Sequence, residues 1–279
     1  NLSYTMDTGV YGLLGVNGAG KTTLMRMLCT LLTPTSGTIT WDGQDIFSLG
    51  SAYRNLLGYL PQDFGLFDEL TVTQFLDYMA ALKGLQGPRA AIGRVIRAVN
   101  LEEKRRARIR TLSGGQRQRV GIARALALNP EFVVCDEPVS ALDVSIQAQI
   151  INLLKTLQEK RNLTYLFISH DLSVVEHISD TVGVMYLGNL VEYGETDDIF
   201  AHPLHPYTKA LFSAIPIPDP TVKRERIVLQ GSIPSPANPP AGCKFHTRCA
   251  HCTQRCKEET PRQIEVEPGH YVVCHLYDK

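Results

Sequence analysis

Gly15-Val16-Asn17-Gly18-Ala19-Gly20-Lys21-Thr22 is the octet that indicates the architecture most strongly. It follows an apolar run at residues 10–15 and precedes a helical pattern over 21–32, which is the strand–loop–helix context of a phosphate-binding loop. Glycines let backbone N–H groups turn toward phosphate oxygens, and the helix N-terminus adds positive potential. Lys21 suits the β- and γ-phosphates of a nucleotide, and the Thr22 hydroxyl suits Mg²⁺. The sequence therefore predicts an ATP-type site with these residues: Gly15, Asn17, Gly18, Ala19, Gly20, Lys21, Thr22 and Thr23.

A second apolar run, at residues 132–135, ends in two acids, Asp136 and Glu137. It belongs to a series of short apolar runs that alternate with helical patterns, which predicts an α/β fold with a mostly parallel sheet. Nucleotides bind at the carboxyl edge of such sheets. Asp136 is therefore expected beside the phosphates, where its carboxylate would hold Mg²⁺.

Three further patterns predict local structure. Residues 71–107 carry helical spacing of apolar side chains, and residues 38–41 predict a short strand. Residues 182–187 and 190–193 flank Gly188-Asn189 and predict a β-hairpin.

Composition limits the classes of function. The 279 residues are 44% hydrophobic and include 28 Lys plus Arg against 28 Asp plus Glu, and this zero balance disfavours a general nucleic-acid binder. We interpret the basic run at residues 104–110 as a solvated face. No apolar run approaches the ~20 residues of a membrane helix, and no signal-peptide pattern is present. Because the chain begins at Asn1 inside a strand-like pattern, we expect the natural chain to start earlier.

Leu112-Ser113-Gly114-Gly115-Gln116 stands between the octet and the acid pair. With them, it resembles the signature of the ABC ATPases, a P-loop family in which ATP closes a dimer and hydrolysis opens it. The resemblance implies that Ser113, Gly114, Gly115 and Gln116 bind the γ-phosphate held by the loop of a partner chain. It also implies roles for four single residues: Glu137 as general base, Gln62 at Mg²⁺ or the attacking water, His170 at the γ-phosphate, and Asp143 reaching across the dimer.

From Leu112 onward, the chain resembles the ATPase subunits of oligopeptide/dipeptide importers. The resemblance is carried by stretches such as Asp136-Glu137-Pro138-Val139-Ser140, His205-Pro206-Tyr207-Thr208 and Ile233-Pro234-Ser235-Pro236. It implies a peripheral ATPase at the cytoplasmic face of the membrane, paired with a second ATPase subunit. Its other implied partners are a transmembrane permease and, indirectly, a peptide-binding protein; no nucleic acid is expected.

The first half resembles a different branch of the family. Tyr11-Gly12-Leu13-Leu14-Gly15 and Leu57-Gly58-Tyr59-Leu60-Pro61-Gln62 look more like ATPases of exporters. We therefore consider a chain of two parentages joined near 105–112, by natural shuffling, fusion or an assembly error, and keep export as the alternative to import. A soluble ABC ATPase acting on ribosomes or DNA is disfavoured, because such proteins usually carry two cassettes or a long coiled-coil insertion. A metal-binding protein with a vestigial cassette is disfavoured by the complete motif set.

Five of the seven cysteines crowd between residues 243 and 274. Without a secretory signal, a clustered set favours metal ligands over disulfides. The resemblance implies a [4Fe–4S] cluster, while tetrahedral Zn²⁺ and no metal stay as alternatives, and Cys252 is an extra sulfur. The expected ligands are Cys243, Cys249, Cys256 and Cys274.

These patterns predict three regions. An ABC ATPase domain is expected over 1–214 with a helical subdomain at about 63–115, followed by a proline-rich linker over 215–240 and a cysteine-rich extension over 241–279. The resemblance also implies an aromatic residue that stacks on adenine, and its usual distance from the loop would place it before residue 1.

Overall fold

The computed structural model describes residues 2–63, 65–85, 87–214 and 226–278. In chain order, the strands are β1 Val10–Leu14, β2 Thr40–Trp41, β3 Gln44–Asp45, β4 Leu57–Leu60, β5 Phe132–Asp136, β6 Thr164–Ile168, β7 Thr181–Tyr186, β8 Asn189–Glu195, β9 Gln263–Glu267 and β10 His270–Val273. The helices are α1 Lys21–Leu28, α2 Ile46–Leu49, α3 Ser51–Leu56, α4 Val72–Leu82, α5 Arg89–Ala98, α6 Gly114–Leu126, α7 Val144–Arg161, α8 Leu172–Ile178, α9 Thr196–Ala201, α10 Pro206–Ser213 and α11 Gln254–Glu258. Short 3₁₀ turns lie at Glu102–Lys104, Ile109–Thr111, His246–Arg248 and His275–Tyr277.

The chain divides into two compact units. The phosphate-loop unit comprises residues 1–6, 11–22 and 169–279, and the signature unit comprises residues 7–10 and 23–168. Each unit contains part of the nucleotide motifs.

Three parallel strands form the centre of the signature unit, in the order β4-β5-β6. Leu60 pairs with Cys135, and Asp136 pairs with Ile168, so the three strands end at one edge. Helices connect them because parallel neighbours need crossover connections. Since β5 is central and buried, its last residue, Asp136, is held at this edge.

The sheet of the phosphate-loop unit is mixed, in the order β1-β7-β8-β10-β9. β1 pairs with β7 in parallel, whereas the other neighbours are antiparallel. The predicted hairpin is confirmed as β7–β8, and its turn residues Leu187 and Gly188 take positive φ values of 44° and 74°. β9 and β10 come from the cysteine-rich region, which its composition predicts to be a separate extension. They extend this sheet through the pairing of β10 with β8.

Helix α1 ends four residues earlier than the helical pattern predicts, at Leu28 rather than Leu32. Thr30 adopts a left-handed φ of 57°, and the N–H groups of Leu31 and Leu32 both return to the Arg26 carbonyl. This arrangement satisfies the last carbonyls of the helix and stops it.

The predicted helical stretch over 71–107 is divided, and the strand predicted over 38–41 is shorter. Gly84 and Gly87 both take positive φ between α4 and α5, a conformation that a continuous helix does not allow. β2 contains only residues 40–41. Apolar periodicity located the helical region correctly but did not reveal the break.

The predicted linker lies partly outside the described residues, because residues 215–225 are not described. Residues 226–240 contain no assigned helix or strand. The predicted domain bounds stay a prediction. None of the described helices combines the length and the apolar character needed to span a membrane.

Candidate nucleotide site

The phosphate loop of the phosphate-loop unit runs from the end of β1 into α1 and is closed by its own backbone. Ala19 N donates to Val16 O at 3.0 Å, and the Ala19 carbonyl accepts from Gly188 N at 2.7 Å. Lys21, 8% exposed, donates from Nζ to the carbonyls of Gly15 and Val16. The Lys21 side chain is therefore held within the loop, where it is expected to bind the phosphates of the nucleotide.

Gly15 is the loop position at which a side chain would clash with strand β7. Its φ is 147°, and a Cβ there would lie 2.5 Å from the Met185 carbonyl oxygen. Any other residue would have to displace β7. By contrast, a Cβ at Gly18 would meet no atom within 4 Å, so that glycine is required for its φ of 82° and for access to the loop.

His170 lies two residues before helix α8 in the same unit and is exposed. The flanking residues fix its backbone, since Asp171 N donates to Ser169 Oγ at 3.0 Å. The Asp171 side chain in turn accepts from Ser173 N and Val174 N and caps α8. This local network presents His170 at a defined place on the surface of the unit.

In the signature unit, the structure brings Gln62 and the acid pair together. Gln62 Nε2 donates to Glu137 Oε2 at 3.2 Å. Glu137 takes a left-handed φ of 47°, and its N–H donates to Ile168 O at 2.9 Å. The β5 ladder therefore continues one residue past Asp136 before the chain turns. Non-glycine residues in this conformation are strained and cluster at functional sites.

The negative charge of Asp136 affects its buried neighbours. The pKa of Cys29 and that of Cys135 are each raised to about 12, mainly by burial and further by Asp136. Burial and the same carboxylate raise the pKa of Tyr59. Cys29, Cys135 and Tyr59 therefore stay neutral beside the acid.

The signature stretch begins helix α6. Ser113 is its N-cap, and a capping box joins Ser113 to Gln116: each side chain accepts from the other residue's N–H. Gly115 packs tightly, since a Cβ there would lie 2.7 Å from Ile146 Cγ2, whereas a Cβ on exposed Gly114 would only touch Leu142. The helix N-terminus therefore has the exposure and the backbone polarity that binding of an anion would need.

Asp143, the other residue assigned to the dimer contact, is the N-cap of α7. Its Oδ1 accepts from Ile146 N at 3.0 Å and from Ser145 Oγ at 2.9 Å. These hydrogen bonds hold the pKa of Asp143 below its usual range, and the bond from Ile146 N has the larger effect. The exposed carboxylate is thus held in place and ionised.

Comparison with known proteins then shows the family. The ABC transporter family model matches residues 1–140, and the model of the C-terminal region of oligopeptide/dipeptide transporters matches residues 191–256. This chain is an ABC transporter ATPase.

Named relatives align with nearly the whole ATPase. The YkfD protein of Bacillus subtilis, provisionally named for oligopeptide transport, is 49% identical over 280 residues, 96% of this chain and 85% of its own. The oligopeptide transport ATP-binding protein AppF of the same organism is 47% identical over 290 residues, 99% of this chain and 88% of its own. Both alignments cross residues 105–112. Because each gives a single sequence identity for its whole length and not one for each half, the suggested junction stays a prediction.

Solved structures give the same fold. The ABC transporter component cbiO1 of Clostridium perfringens is 29% identical and superposes with a TM-score of 0.65, covering 70% of this chain and 80% of its own. A second structure, an ATP-binding subunit of an ABC transporter, is 26% identical with a TM-score of 0.59, covering 70% and 81%.

The cysteines of the ATPase's C-terminal region lie near one another. The pKa of Cys274 is raised to about 11, mainly by burial and further by Cys243, Cys249 and Cys256. In the described ranges, however, no group of three or more His, Cys, Asp or Glu is arranged to hold a metal ion. The described residues therefore give no support to the metal site predicted from the cysteine spacing.

Two residues that contact the site were not singled out from the sequence. Gln118, 8% exposed, donates from Nε2 to Pro138 O and so ties the signature helix to the residue after Glu137. Tyr207 Oη accepts from the N–H of Val16 in the phosphate loop. Gln118 could not be recognised, because the two residues before it, Gln116 and Arg117, are equally polar. Tyr207 belongs to the stretch His205-Pro206-Tyr207-Thr208, but no local pattern indicates its contact with a residue 191 positions away.

Proposed function

We propose that this ABC transporter ATPase drives the import of oligopeptides or dipeptides. The observation that carries the proposal is the match of residues 191–256 to the C-terminal region of oligopeptide/dipeptide transporters. Relatives named for peptide or oligopeptide transport, aligned over 96–99% of the chain, support it.

In this proposal, residues 15–23 bind the ATP phosphates. The loop N–H groups face the phosphate oxygens, and Lys21 leaves the carbonyls of Gly15 and Val16 to neutralise the β- and γ-phosphates. Mg²⁺, when bound, offsets phosphate charge. Thr22, Gln62 and Asp136 offer it hydroxyl, amide and carboxylate oxygens, the donors that this ion prefers.

Glu137 accepts a proton from the attacking water as general base. Gln62 orients its carboxylate through the 3.2 Å hydrogen bond, and His170 contacts the γ-phosphate. Ser113, Gly114, Gly115 and Gln116, with Asp143, contact the nucleotide held by a second ATPase subunit. ATP thus joins the two subunits, and hydrolysis releases them.

The proposed assembly contains a second ATPase subunit and a transmembrane permease at the cytoplasmic face of the membrane. A peptide-binding protein acts indirectly by delivering peptide to the permease. Export is the second candidate, and the exporter-like stretches before residue 110 favour it.

The test is ATPase activity of the chain reconstituted with its permease in vesicles. A binding protein loaded with a tetrapeptide should stimulate hydrolysis several-fold, and the peptide should cross the membrane into the compartment that contains the ATPase and ATP. Lys21→Ala should abolish both activities. Stimulation by peptide added on the ATPase side, with peptide leaving that side, would replace import by export.

Metal binding by Cys243, Cys249, Cys256 and Cys274 stays part of the proposal only as a prediction, and no step of ATP hydrolysis depends on it. Iron, acid-labile sulfide and zinc should be measured in protein purified without oxygen. About four irons per chain would support the cluster, and one zinc would support the alternative. Protein free of both metals would remove the metal from the proposal.

A further inference from the structure

Tyr207 is a buried residue that contacts the phosphate loop from outside it. The ring is 1% exposed, and its Oη accepts a hydrogen bond from Val16 N–H at 3.0 Å. Val16 is the second residue of the octet. Because its N–H group is directed at Tyr207, the hydrogen bond fixes the orientation of the Gly15–Val16 peptide plane, from which the loop begins. Such preset N–H groups bind phosphate without reorganising.

Tyr207 is itself fixed by a buried polar network at the start of α10. His205 Nδ1 accepts from Tyr207 N at 3.0 Å. The Glu192 carboxylate accepts from Leu204 N at 2.6 Å and from His205 N at 2.8 Å, and contacts His270 Nε2 at 2.9 Å. Glu192 and His270 are fully buried, so water does not compete for these bonds. The network leaves the Tyr207 backbone little freedom.

Phe245 of the cysteine-rich region packs against this tyrosine. Its ring centroid lies 5.5 Å from that of Tyr207, 5.2 Å from that of Tyr186 and 5.6 Å from that of His205. Phe245 is 1% exposed and lies between Cys243 and Cys249 in the chain. Tyr207 therefore lies between Phe245 of the cysteine-rich region and Val16 of the phosphate loop.

We infer that Tyr207 is a positioning residue for the phosphate loop and that Phe245 holds it in place, so that the C-terminal region sets nucleotide affinity. The inference rests on the phosphate-binding role proposed for residues 15–23. The inference assigns a role to each residue of the His205-Pro206-Tyr207 stretch. His205 caps α10, Pro206 is its first residue, and Tyr207 contacts the phosphate loop.

The test compares Tyr207→Phe with wild type in equilibrium binding of mant-ATP and in ATPase kinetics. The variant keeps the ring and leaves Val16 N–H unpaired. The Kd for mant-ATP and the KM for ATP should each rise about fivefold, the ratio that corresponds to one hydrogen bond of ~1 kcal/mol. kcat at saturating ATP should stay within about twofold, because the hydroxyl does not touch the reacting atoms. Phe245→Ala should raise the Kd in the same way, and Phe245→Leu should restore part of the affinity.

Tyr165→Phe is the matched control. Tyr165 is also buried, and its hydroxyl donates to a backbone carbonyl, that of Leu154, at 3.2 Å within the signature unit. It should lower stability without changing the Kd for mant-ATP. Equal increases in the Kd for mant-ATP in Tyr165→Phe and Tyr207→Phe would show that the effect arises from general destabilisation, and would overturn the inference.

Lys21→Ala separates this inference from the function on which it rests. If Lys21→Ala binds mant-ATP like wild type, the phosphate-loop role itself fails. If Lys21→Ala loses binding while Tyr207→Phe keeps the wild-type Kd, the loop role stands and the positioning role of Tyr207 fails.

Discussion

Gln62 Nε2 donates to Glu137 Oε2 across 3.2 Å, from the residue two positions after β4 to the residue directly after β5. The bond joins neighbouring parallel strands at their carboxyl edge. Because one partner is a carboxylate, the bond is stronger than a neutral one. It places the orientation of the proposed base under the control of the segment that follows β4.

Gln62→Ala should therefore reduce hydrolysis more than binding. Loss of a hydrogen bond to a charged group corresponds to about 1.5–3 kcal/mol when the bond is fully formed, and less at an exposed site such as this one. We expect kcat to fall roughly tenfold while the Kd for mant-ATP changes little. Gln62→Glu is the control, because it keeps the size but places a second negative charge beside Glu137. A wild-type kcat in Gln62→Ala would show that the bond does not orient the base.

Alanine substitutions of Gly114 and Gly115 should distinguish an effect on ATPase activity from an effect on stability. Gly114→Ala adds a methyl group that only touches Leu142, and alanine favours a helix by about 1 kcal/mol over glycine. Its free energy of unfolding should be unchanged or higher, yet ATPase activity should fall, because the methyl group occupies the surface offered to the partner's phosphate.

Gly115→Ala is the matched variant for that experiment. Its Cβ would lie 2.7 Å from Ile146 Cγ2, an overpacked contact that costs about 1–3 kcal/mol. Urea unfolding should show this variant to be less stable than Gly114→Ala. Equal stability of the two variants would contradict the packing of Gly115 against α7.

His205 should make stability depend on pH. Burial lowers the pKa of His205 from 6.5 to about 4, and the charge of Glu192 partly opposes this shift. The neutral Nδ1 accepts a hydrogen bond from Tyr207 N. Between about pH 6.5 and pH 4 the unfolded chain binds a proton that the folded chain does not. The stability present above pH 6.5 is therefore lost as pH falls through this window, by on the order of 3 kcal/mol.

His205→Asn tests this effect directly. Asparagine caps helices well but does not titrate in this range. The difference in unfolding free energy between pH 7 and pH 5, measured with urea, should be smaller in the variant than in wild type. An unchanged difference would assign the pH dependence to other groups.

The motif residues could be predicted because each chemical role uses a short local pattern. The octet, the acid pair and the signature stretch were all placed correctly on a loop, a strand end and a helix start. The sequence did not reveal that α1 stops at Leu28, since Thr30 carries no intrinsic preference for a left-handed φ. Long-range contacts were also missed: the pairing of β10 with β8 and the bond from Val16 to Tyr207 depend on tertiary packing.

ATP hydrolysis by Glu137→Gln, measured beside mant-ATP binding by the same variant, tests the central claim most directly. The substitution preserves size and removes only the ability to accept a proton. The account predicts that binding is retained while hydrolysis falls by two or more orders of magnitude, within the range that general bases contribute. Hydrolysis at the wild-type rate with normal binding would contradict the assignment of Glu137 as the base.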